Sequence, residues 1–148
     1  MEKLKVFLDS NIVFSAAYSG KEKSRSYIFF ELQDLNIIEI YISNLVKFET
    51  THNINIKKPE KLDFLNELLN KVNILEDIDI YNQYIESLPE NDRIILSSAI
   101  YHNIDFFITG NTKDFLIFYN KKISNTLILS NKNFLERTFR TPDNADDI

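Results

Sequence analysis

Four acidic residues lie where the surrounding apolar sequence does not favour a charge. Asp9 ends the apolar run of VFLDSN, Asp92 lies in PENDRIILSSAI, and Asp114 follows the strand-like run of FFITGNTKDF. Glu49, in SNLVKFETTH, falls about 40° from Leu45 at roughly 100° per helical residue, which places it on the apolar stripe. A carboxylate that points inward is costly unless it is paired or bound to a cation. Four such acids brought together would form a divalent-metal site.

The ligand chemistry narrows the choice of metal. Carboxylate oxygens without His or Cys suit Mg²⁺ or Mn²⁺ rather than zinc. Such an ion can activate water and stabilise charge on a phosphate under in-line attack, so the pattern favours hydrolysis of a phosphodiester. His52 and His102 are far apart and lack metal spacing, so we expect structural or surface roles for both. The sequence contains no nucleophile-elbow motif and, with two glycines, no glycine-rich phosphate loop.

Each acid also has an ordinary structural explanation. Asp9 could be a turn residue that ends a strand, and Asp92 and Asp114 could be favourable charges near helix amino termini. Glu49 could form a buried ion pair with a lysine or an arginine. Four independent coincidences explain the pattern less well than one shared site. Asp105 is expected to tighten a turn. Four further acids are expected to be ordinary solvated charges: Asp63, Glu67, Asp77 and Asp79.

Composition indicates one compact domain. The chain has 148 residues, is 44% apolar and contains 12 Phe and 7 Tyr, enough for a substantial core. Two Gly and three Pro argue against a flexible linker, so we expect one domain over residues 1–140 and a polar tail over 141–148. The absence of Cys excludes a disulfide scaffold and fits a reducing cytosol. No run approaches the roughly 20 apolar residues of a membrane span, so we expect a cytoplasmic protein without membrane association.

The charge distribution permits an enzyme that acts on nucleic acid. A net charge of −5 argues mildly against a general nucleic-acid coat protein. An acidic metal pocket adds to the negative count, however, and so does not exclude a nuclease. The basic clusters are best explained as solvated faces: Lys21, Lys23 and Arg25; Lys57, Lys58 and Lys61; Lys121 and Lys122; Arg137 and Arg140.

The periodicity predicts strands alternating with helices. Strands are expected at 4–8, 37–43, 72–76, 104–109 and 126–130. Helices are expected up to about residue 36, from Ser43 towards 56, from Pro59, over 78–87, and from a capping box at Ser87 to about Asn103. Within the first of these stretches, Ser24 is a candidate cap. This order predicts an α/β fold: a three-layer α/β/α sandwich around a mainly parallel, roughly five-stranded sheet.

This topology would bring the four acids to one edge of the sheet. Sites in open parallel sheets lie at the carboxyl ends of the strands. Asp9 directly follows the first strand, and Glu49 lies early in the helix that leaves the second. Asp92 is near the start of a helix that returns antiparallel to the strands, and Asp114 opens the helix after the fourth strand.

At these residues the chain resembles the PIN-domain family of metal-dependent ribonucleases, and most of all the compact bacterial group that contains VapC-like toxins. The similarity spans nearly the whole chain and rests on VFLDSNIVFSA, ISNLVKFE, ENDRIILSSAI, DFFITGNTKDF and LILSNKNFLE, in that order. Each motif is short and degenerate, whereas their order and spacing together are fairly specific.

The resemblance implies roles for the acids and an RNA substrate. Asp9 would be the central ligand of Mg²⁺ or Mn²⁺ and Asp92 a second ligand. Glu49 and Asp114 would bind the metal directly or through water and position the attacking water. The family also implies a homodimer and, for the toxin group, a small antitoxin protein that blocks the site.

Three polar residues match supporting positions of the family. Asn11 corresponds to a common polar residue and would shape the turn after Asp9. Thr109 matches a small hydroxyl residue with a structural or a substrate-binding role. Asn111 stands where many relatives carry another Asp, a departure that could weaken binding of a second metal.

Three functions are therefore compared. The leading one is a metal-dependent endoribonuclease, the toxin of a toxin–antitoxin pair. The alternative is a catalytically inactive PIN-like module that binds RNA or protein, for which Asn111 is the main support. A phosphoacceptor with Asp9 as nucleophile is disfavoured, because Asp9-Ser10-Asn11 lacks the second acid that haloacid-type phosphatases place two residues on.

Overall fold

A computed structural model of the chain describes residues 3–80 and 82–139. Within these ranges the strands are β1 (Leu4–Leu8), β2 (Ile38–Ser43), β3 (Asn73–Leu75), β4 (Phe106–Ile108), β5 (Lys122–Ile123) and β6 (Thr126–Leu129). The α-helices are α1 (Ser10–Lys23), α2 (Ile28–Asp34), α3 (Asn44–Lys57), α4 (Leu62–Leu69), α5 (Glu90–Tyr101), α6 (Thr112–Phe115) and α7 (Asn131–Thr138). The expected tail at 141–148 lies outside the described residues, so the domain boundary stays a prediction.

The strands form one mainly parallel sheet in the order β3-β2-β1-β4-β6-β5. Only the short β5 pairs antiparallel, with β6, in the described part of the sheet. The consecutive residues Val6, Phe7 and Leu8 of the central strand β1 are all fully buried. Since neighbouring side chains of a strand point to opposite sides, β1 is buried on both faces of the sheet. The predicted α/β fold with helices on both faces of a parallel sheet is confirmed. The sheet has six strands rather than about five, because the two-residue β5 carries too little pattern to be recognised.

The helix starts follow from local capping. The Ser43 hydroxyl accepts a hydrogen bond from the Val46 amide at the start of α3. Ser24 caps the 3₁₀ turn at Arg25–Tyr27 that leads into α2. Both caps agree with the sequence prediction. Pro59 opens a 3₁₀ turn, Pro59–Lys61, directly before α4.

The helix predicted over 78–87 is absent: the described residues 78–80 and 82–87 form extended chain and turns. Turn bonds such as that from the Ile85 amide to the Asn82 carbonyl oxygen, at 3.0 Å, hold part of this segment, and contacts with α5 hold its first residues. The Ile78 amide donates to the Ser98 hydroxyl at 2.9 Å, and Asp79 accepts two hydrogen bonds from the Arg93 guanidinium at 3.1 and 3.0 Å. Asp79 was expected to be a solvated charge, whereas it fastens this segment to α5.

The predicted capping box at Ser87 is also wrong. Pro89 lies at the N-cap position of α5 rather than in its first turn, and this helix start has no side-chain cap. Helix α5 therefore starts at Glu90, two residues later than a cap at Ser87 would place it. Asp77, another acid expected to be solvated, accepts a hydrogen bond from the Leu45 amide at the start of α3. Asp105 was expected to tighten a turn, whereas its side chain joins the start of β4 to β1 by accepting a hydrogen bond from the Lys5 amide at 2.9 Å.

Among the described residues, no helix has both the length and the apolar character that crossing a bilayer would require.

Candidate metal-binding site

Asp9 is the most deeply buried of the four acids. It follows β1 and is the N-cap of α1, and its side chain is only 2% exposed. The carboxylate accepts hydrogen bonds from the Thr109 hydroxyl at 2.7 Å, the Ser10 amide at 2.8 Å and the Asn11 side chain at 3.3 Å. Burial nevertheless raises the pKa of Asp9 to about 6, with a further contribution from the Glu49 charge, because the three donors offset only part of the desolvation.

Asp92 and Asp114 form a closely coupled pair. They lie near the starts of α5 and α6, and their carboxyl groups are in hydrogen-bonding contact. Burial first, then Asp114 and the charges of Asp9 and Glu49, raise the pKa of Asp92 to about 7. The pKa of Asp114 is lowered, first by the Asn111 side chain and then by the contact with Asp92. The two carboxyl groups therefore compete for a proton, and Asp92 gives up its proton less readily than an ordinary aspartate does.

Glu49 reaches the same edge from α3. Its carboxylate accepts hydrogen bonds from the Ser10 hydroxyl at 2.9 Å and from the Asn91 side chain at 3.1 Å. Sequence reasoning missed Ser10 and Asn91, although each directly neighbours one of the chosen acids. The ion-pair explanation of Glu49 is not supported, since no described lysine or arginine forms a salt bridge with any of the four acids.

A polar network behind the acids holds them in place. Thr109, fully buried after β4, donates to Asp9 and accepts a hydrogen bond from the Asn111 amide at 3.1 Å. The Asn11 side-chain oxygen Oδ1 accepts a hydrogen bond from the Gly110 amide at 2.8 Å. The Tyr119 hydroxyl donates to the Thr109 carbonyl oxygen at 2.8 Å. The predicted supporting residues Asn11 and Thr109 thus orient Asp9 and connect β1 to β4.

Gly110 and Tyr119 were not identified from sequence. A Cβ on Gly110 would lie 3.2 Å from the Asn11 Oδ1 atom, so the close approach of the two segments favours glycine. Isolated glycines and tyrosines give no signal of such contacts without the fold.

Asn111 has a clear role beside Asp114. Its Nδ2 atom donates to the Asp114 carboxylate at 2.9 Å, and its Oδ1 atom accepts a hydrogen bond from the Asp114 amide at 3.3 Å. An aspartate at this position would repel Asp114, whereas the amide stabilises its ionised form. Asn111 is therefore a positioning residue for Asp114, and the edge carries one acid fewer than it would with an aspartate at position 111.

The two histidines lie in aromatic contacts. His52 stacks on Phe48, and His102 packs edge-on against Tyr101.

The donor set fits a hard divalent cation in an open site. In residues 3–80 and 82–139 no three His, Cys, Asp or Glu side chains converge closely enough to enclose an ion by themselves. The four carboxyl groups are nonetheless near enough for Asp92 to be destabilised as an anion by the other three. Mg²⁺ commonly binds one or two carboxylates and keeps several waters, so a loosely spaced set of acids suffices. Asp9, Asp92 and Asp114, with Glu49 directly or through water, are the residues that would hold Mg²⁺ or Mn²⁺.

Comparison with known proteins identifies the family. The model of the PIN domain matches residues 6–121. The chain belongs to the PIN-domain family. No curated protein sequence matches it closely enough to be counted as a relative.

Solved structures with a similar fold come from toxin–antitoxin complexes. A chain of VapBC2 from Rickettsia felis, bound to a DNA fragment from the VapBC2 promoter, is 23% identical to this chain. The TM-score is 0.65, and the similarity covers 86% of this chain and 98% of that chain. A chain of DNA-bound VapBC from Salmonella typhimurium is 18% identical with a TM-score of 0.63, over 86% and 98%. A chain of a toxin–antitoxin complex from Klebsiella pneumoniae is 25% identical with a TM-score of 0.56, over 82% and 95%. The PIN-family resemblance stated from the sequence is confirmed, and the chains of these complexes share its fold.

Proposed function

We propose that this protein is an Mg²⁺- or Mn²⁺-dependent endoribonuclease that hydrolyses phosphodiester bonds in RNA. The observation that carries the proposal is the grouping of Asp9, Glu49, Asp92 and Asp114 at the carboxyl edge of the sheet, where no described cationic side chain forms a salt bridge with them. PIN domains are generally nucleases, and the match over residues 6–121 supports the same chemistry here.

The four acids divide into distinct roles. When bound, the metal ion supplies an activated water and stabilises charge on the phosphate. Asp9 is held immobile by three donors and provides a fixed ligand oxygen. The Asp92–Asp114 pair holds a proton near neutral pH, and this proton leaves when the carboxyls bind a cation. Glu49, half-buried and oriented by Ser10 and Asn91, is placed to orient the attacking water.

The biological role that fits best is that of a toxin controlled by an antitoxin in the cytoplasm. The similar chains come from toxin–antitoxin complexes, which supports an antitoxin partner for this chain. A small antitoxin that blocks the acidic edge belongs to the proposal through the resemblance to the toxin group. A homodimer is part of the same proposal.

Cleavage of total RNA tests the catalytic proposal. The wild-type protein should cut RNA with Mg²⁺ or Mn²⁺ and should not cut in EDTA. Loss of an outer-shell partner of a metal costs up to about 100-fold. Asp92 is proposed as a direct ligand, so Asp92→Asn should reduce the rate by at least about 100-fold. Asp63→Asn, which makes the same change at an exposed position of α4, should cut like the wild type. Wild-type protein that cuts no RNA with either metal, or equal rates for Asp92→Asn and Asp63→Asn, would contradict the proposal.

A catalytically inactive binding module is the second candidate. It is favoured by Asn111, which replaces an acid common in relatives, and by the lack of three enclosing ligands in the described residues. Calorimetric titration with Mn²⁺ separates the two functions. Binding that Asp9→Asn and Asp92→Asn abolish supports the nuclease. RNA binding without any such metal binding supports the inactive module.

A further inference from the structure

A groove of about 850 Å³ lies directly beside the acidic edge. Part of its wall is formed by Asn11, Gly110 and Thr112, which belong to or adjoin the network around Asp9 and Asp114. Other parts come from α1, from the chain after it and from α7, including the charged residues Arg25, Lys132 and Glu136. Its volume is within the range of about 300–1,000 Å³ that is usual for ligand sites.

A reversal in α1 brings Arg25 to this groove. Gly20, with φ 77° and ψ −178°, interrupts the helix, and the chain turns back along it. The Ser24 hydroxyl then lies 3.0 Å from the Ser15 hydroxyl. On the other side, the Asn131 side chain of α7 donates to the buried Ser26 hydroxyl at 3.0 Å. Arg25 is therefore fixed at its backbone between two anchored serines, although its side chain is exposed.

The two cations of the groove are available to an anion. Arg25 forms no salt bridge with any described residue. Lys132 forms a single contact with Glu136, at 3.9 Å, between two largely exposed side chains. Such surface pairs contribute little, so Lys132 can exchange Glu136 for another anion.

RNA needs these cations because the acidic edge itself repels phosphate. Neutralising phosphates with Lys and Arg supplies most of the affinity for a nucleic-acid backbone. We infer that this groove binds the phosphate backbone of single-stranded RNA on one side of the cleaved bond, with Arg25 and Lys132 as phosphate contacts. The inference rests on the proposed ribonuclease function and identifies where its substrate lies.

The hydroxyl and amide groups of the wall suit the same occupant. Ser15, Ser130 and Thr112 line the groove together with the apolar surfaces of Ile12 and Leu135. Hydroxyl groups can contact phosphate and sugar, and apolar surface can pack against a sugar or a base.

Salt-dependent binding of RNA tests the inference without any cleavage. The parent is Asp9→Asn in EDTA, and the probe is a fluorescein-labelled single-stranded RNA of mixed sequence followed by anisotropy. Arg25→Gln and Lys132→Gln should each flatten the slope of log K against log salt by about 0.7, which corresponds to about a 5-fold loss of affinity at 0.1 M salt relative to 1 M. Both changes together should flatten it by about 1.4.

Matched charge changes at the opposite edge provide the control. Lys3 and Lys71 precede β1 and β3, at the amino edge of the parallel sheet, and both are exposed. Lys3→Gln with Lys71→Gln removes the same charge as the double groove variant and should leave the slope of the parent unchanged. Equal slopes for the two double variants would overturn the inference, because net charge alone would then explain the binding.

Other outcomes separate this inference from the proposed function. Groove variants that bind RNA like the parent would overturn the groove assignment and leave the groove to a protein partner, while cleavage by the wild type still stands. Tighter binding of DNA than of RNA of the same sequence would also overturn it. Groove-dependent RNA binding by a wild-type protein that never cuts would support the groove and contradict only the nuclease.

Discussion

The carboxyl group of Asp9 is subject to two opposing effects. Three hydrogen-bond donors stabilise its ionised form, whereas its removal from water favours the neutral form. Burial is the larger effect, and the pKa of Asp9 rises from its ordinary 3.8 to about 6. The folded protein without metal therefore holds a proton that the unfolded chain releases between these two values.

This difference predicts how stability depends on pH in the absence of metal. As the pKa of Asp9 is higher in the folded state, its contribution is complete below about pH 4 and is lost as pH rises through about 6. The difference between a pKa of 3.8 and one of about 6 corresponds to about 3 kcal/mol in the free energy of unfolding. The raised pKa of Asp92 acts in the same direction up to about pH 7. Urea denaturation in EDTA from pH 4.5 to 7.5 should show this fall.

Asp9→Asn should flatten the pH dependence, because the neutral amide does not titrate. Asp63→Asn, at an exposed site, should keep the wild-type slope. Identical pH profiles for Asp9→Asn and the wild type would show that Asp9 does not carry a raised pKa.

Thr109 connects Asp9 to the turn that presents Asp114. Thr109→Val keeps the shape of this fully buried side chain but removes the hydroxyl that donates to Asp9 and accepts from the Asn111 amide. We expect a loss of about 1–3 kcal/mol in the free energy of unfolding, because polar groups lose their partner. Affinity for Mn²⁺ should fall about 10- to 100-fold, as for other outer-shell partners. Urea denaturation and titration calorimetry measure the two effects.

Thr109→Ser is the matched comparison, since it retains the hydroxyl and loses a methyl group. It should keep most of the Mn²⁺ affinity. If the Val and Ser variants bind Mn²⁺ equally, the hydroxyl does not position Asp9.

At the scale of elements, the structure separates what local patterns determine from what distant contacts determine. Ser43 and Ser24 were recognised as caps because a cap depends on residues within one helical turn. The segment 78–87 was misassigned because its conformation depends on Ser98 and Arg93 of α5, which no local pattern reveals. The short strand β5 exists only through its pairing with β6.

The reversal at Gly20 gives a prediction for the end of α1. Its φ of 77° with ψ of −178° lies in a region that is essentially restricted to glycine. Gly20→Ala should reduce the free energy of unfolding by about 1–3 kcal/mol through backbone strain alone. Steric contact does not contribute, because an added Cβ would meet no atom within 4 Å. Urea denaturation measures the difference.

Ser19→Ala, one residue earlier and exposed, tests whether any small change in this part of the helix has the same effect. It should stay within about 0.5 kcal/mol of the wild type, as is usual for surface substitutions. Equal stabilities for the two variants would show that the backbone at position 20 is not strained by a side chain.

At the scale of the whole molecule, the sheet topology accounts for the site. Asp9, Glu49, Asp92 and Asp114 come from four separate parts of the chain and meet because parallel strands end at one edge. This much followed from the sequence. The contacts of Ser10 and Asn91, and the return of Arg25 to the groove, required the three-dimensional arrangement, since Arg25 belonged to a cluster expected to be only solvated.

Grouped acids without a neutralising cation predict that a divalent metal stabilises the whole fold. A ligand at 100 times its dissociation constant adds about 2.7 kcal/mol to the free energy of unfolding. For a chain of this size, this corresponds to a rise in Tm of about 5–11 °C. The rise should be larger at pH 8 than at pH 5, because ligand carboxyls must lose their protons and the pKa values of Asp9 and Asp92 are raised to about 6 and about 7.

Thermal unfolding with and without Mn²⁺ at both pH values measures this rise in Tm. Asp63→Asn should retain the full rise, whereas the double variant Asp9→Asn with Asp92→Asn should show none. An equal rise in the double variant, or one independent of pH, would place the bound metal elsewhere on the protein.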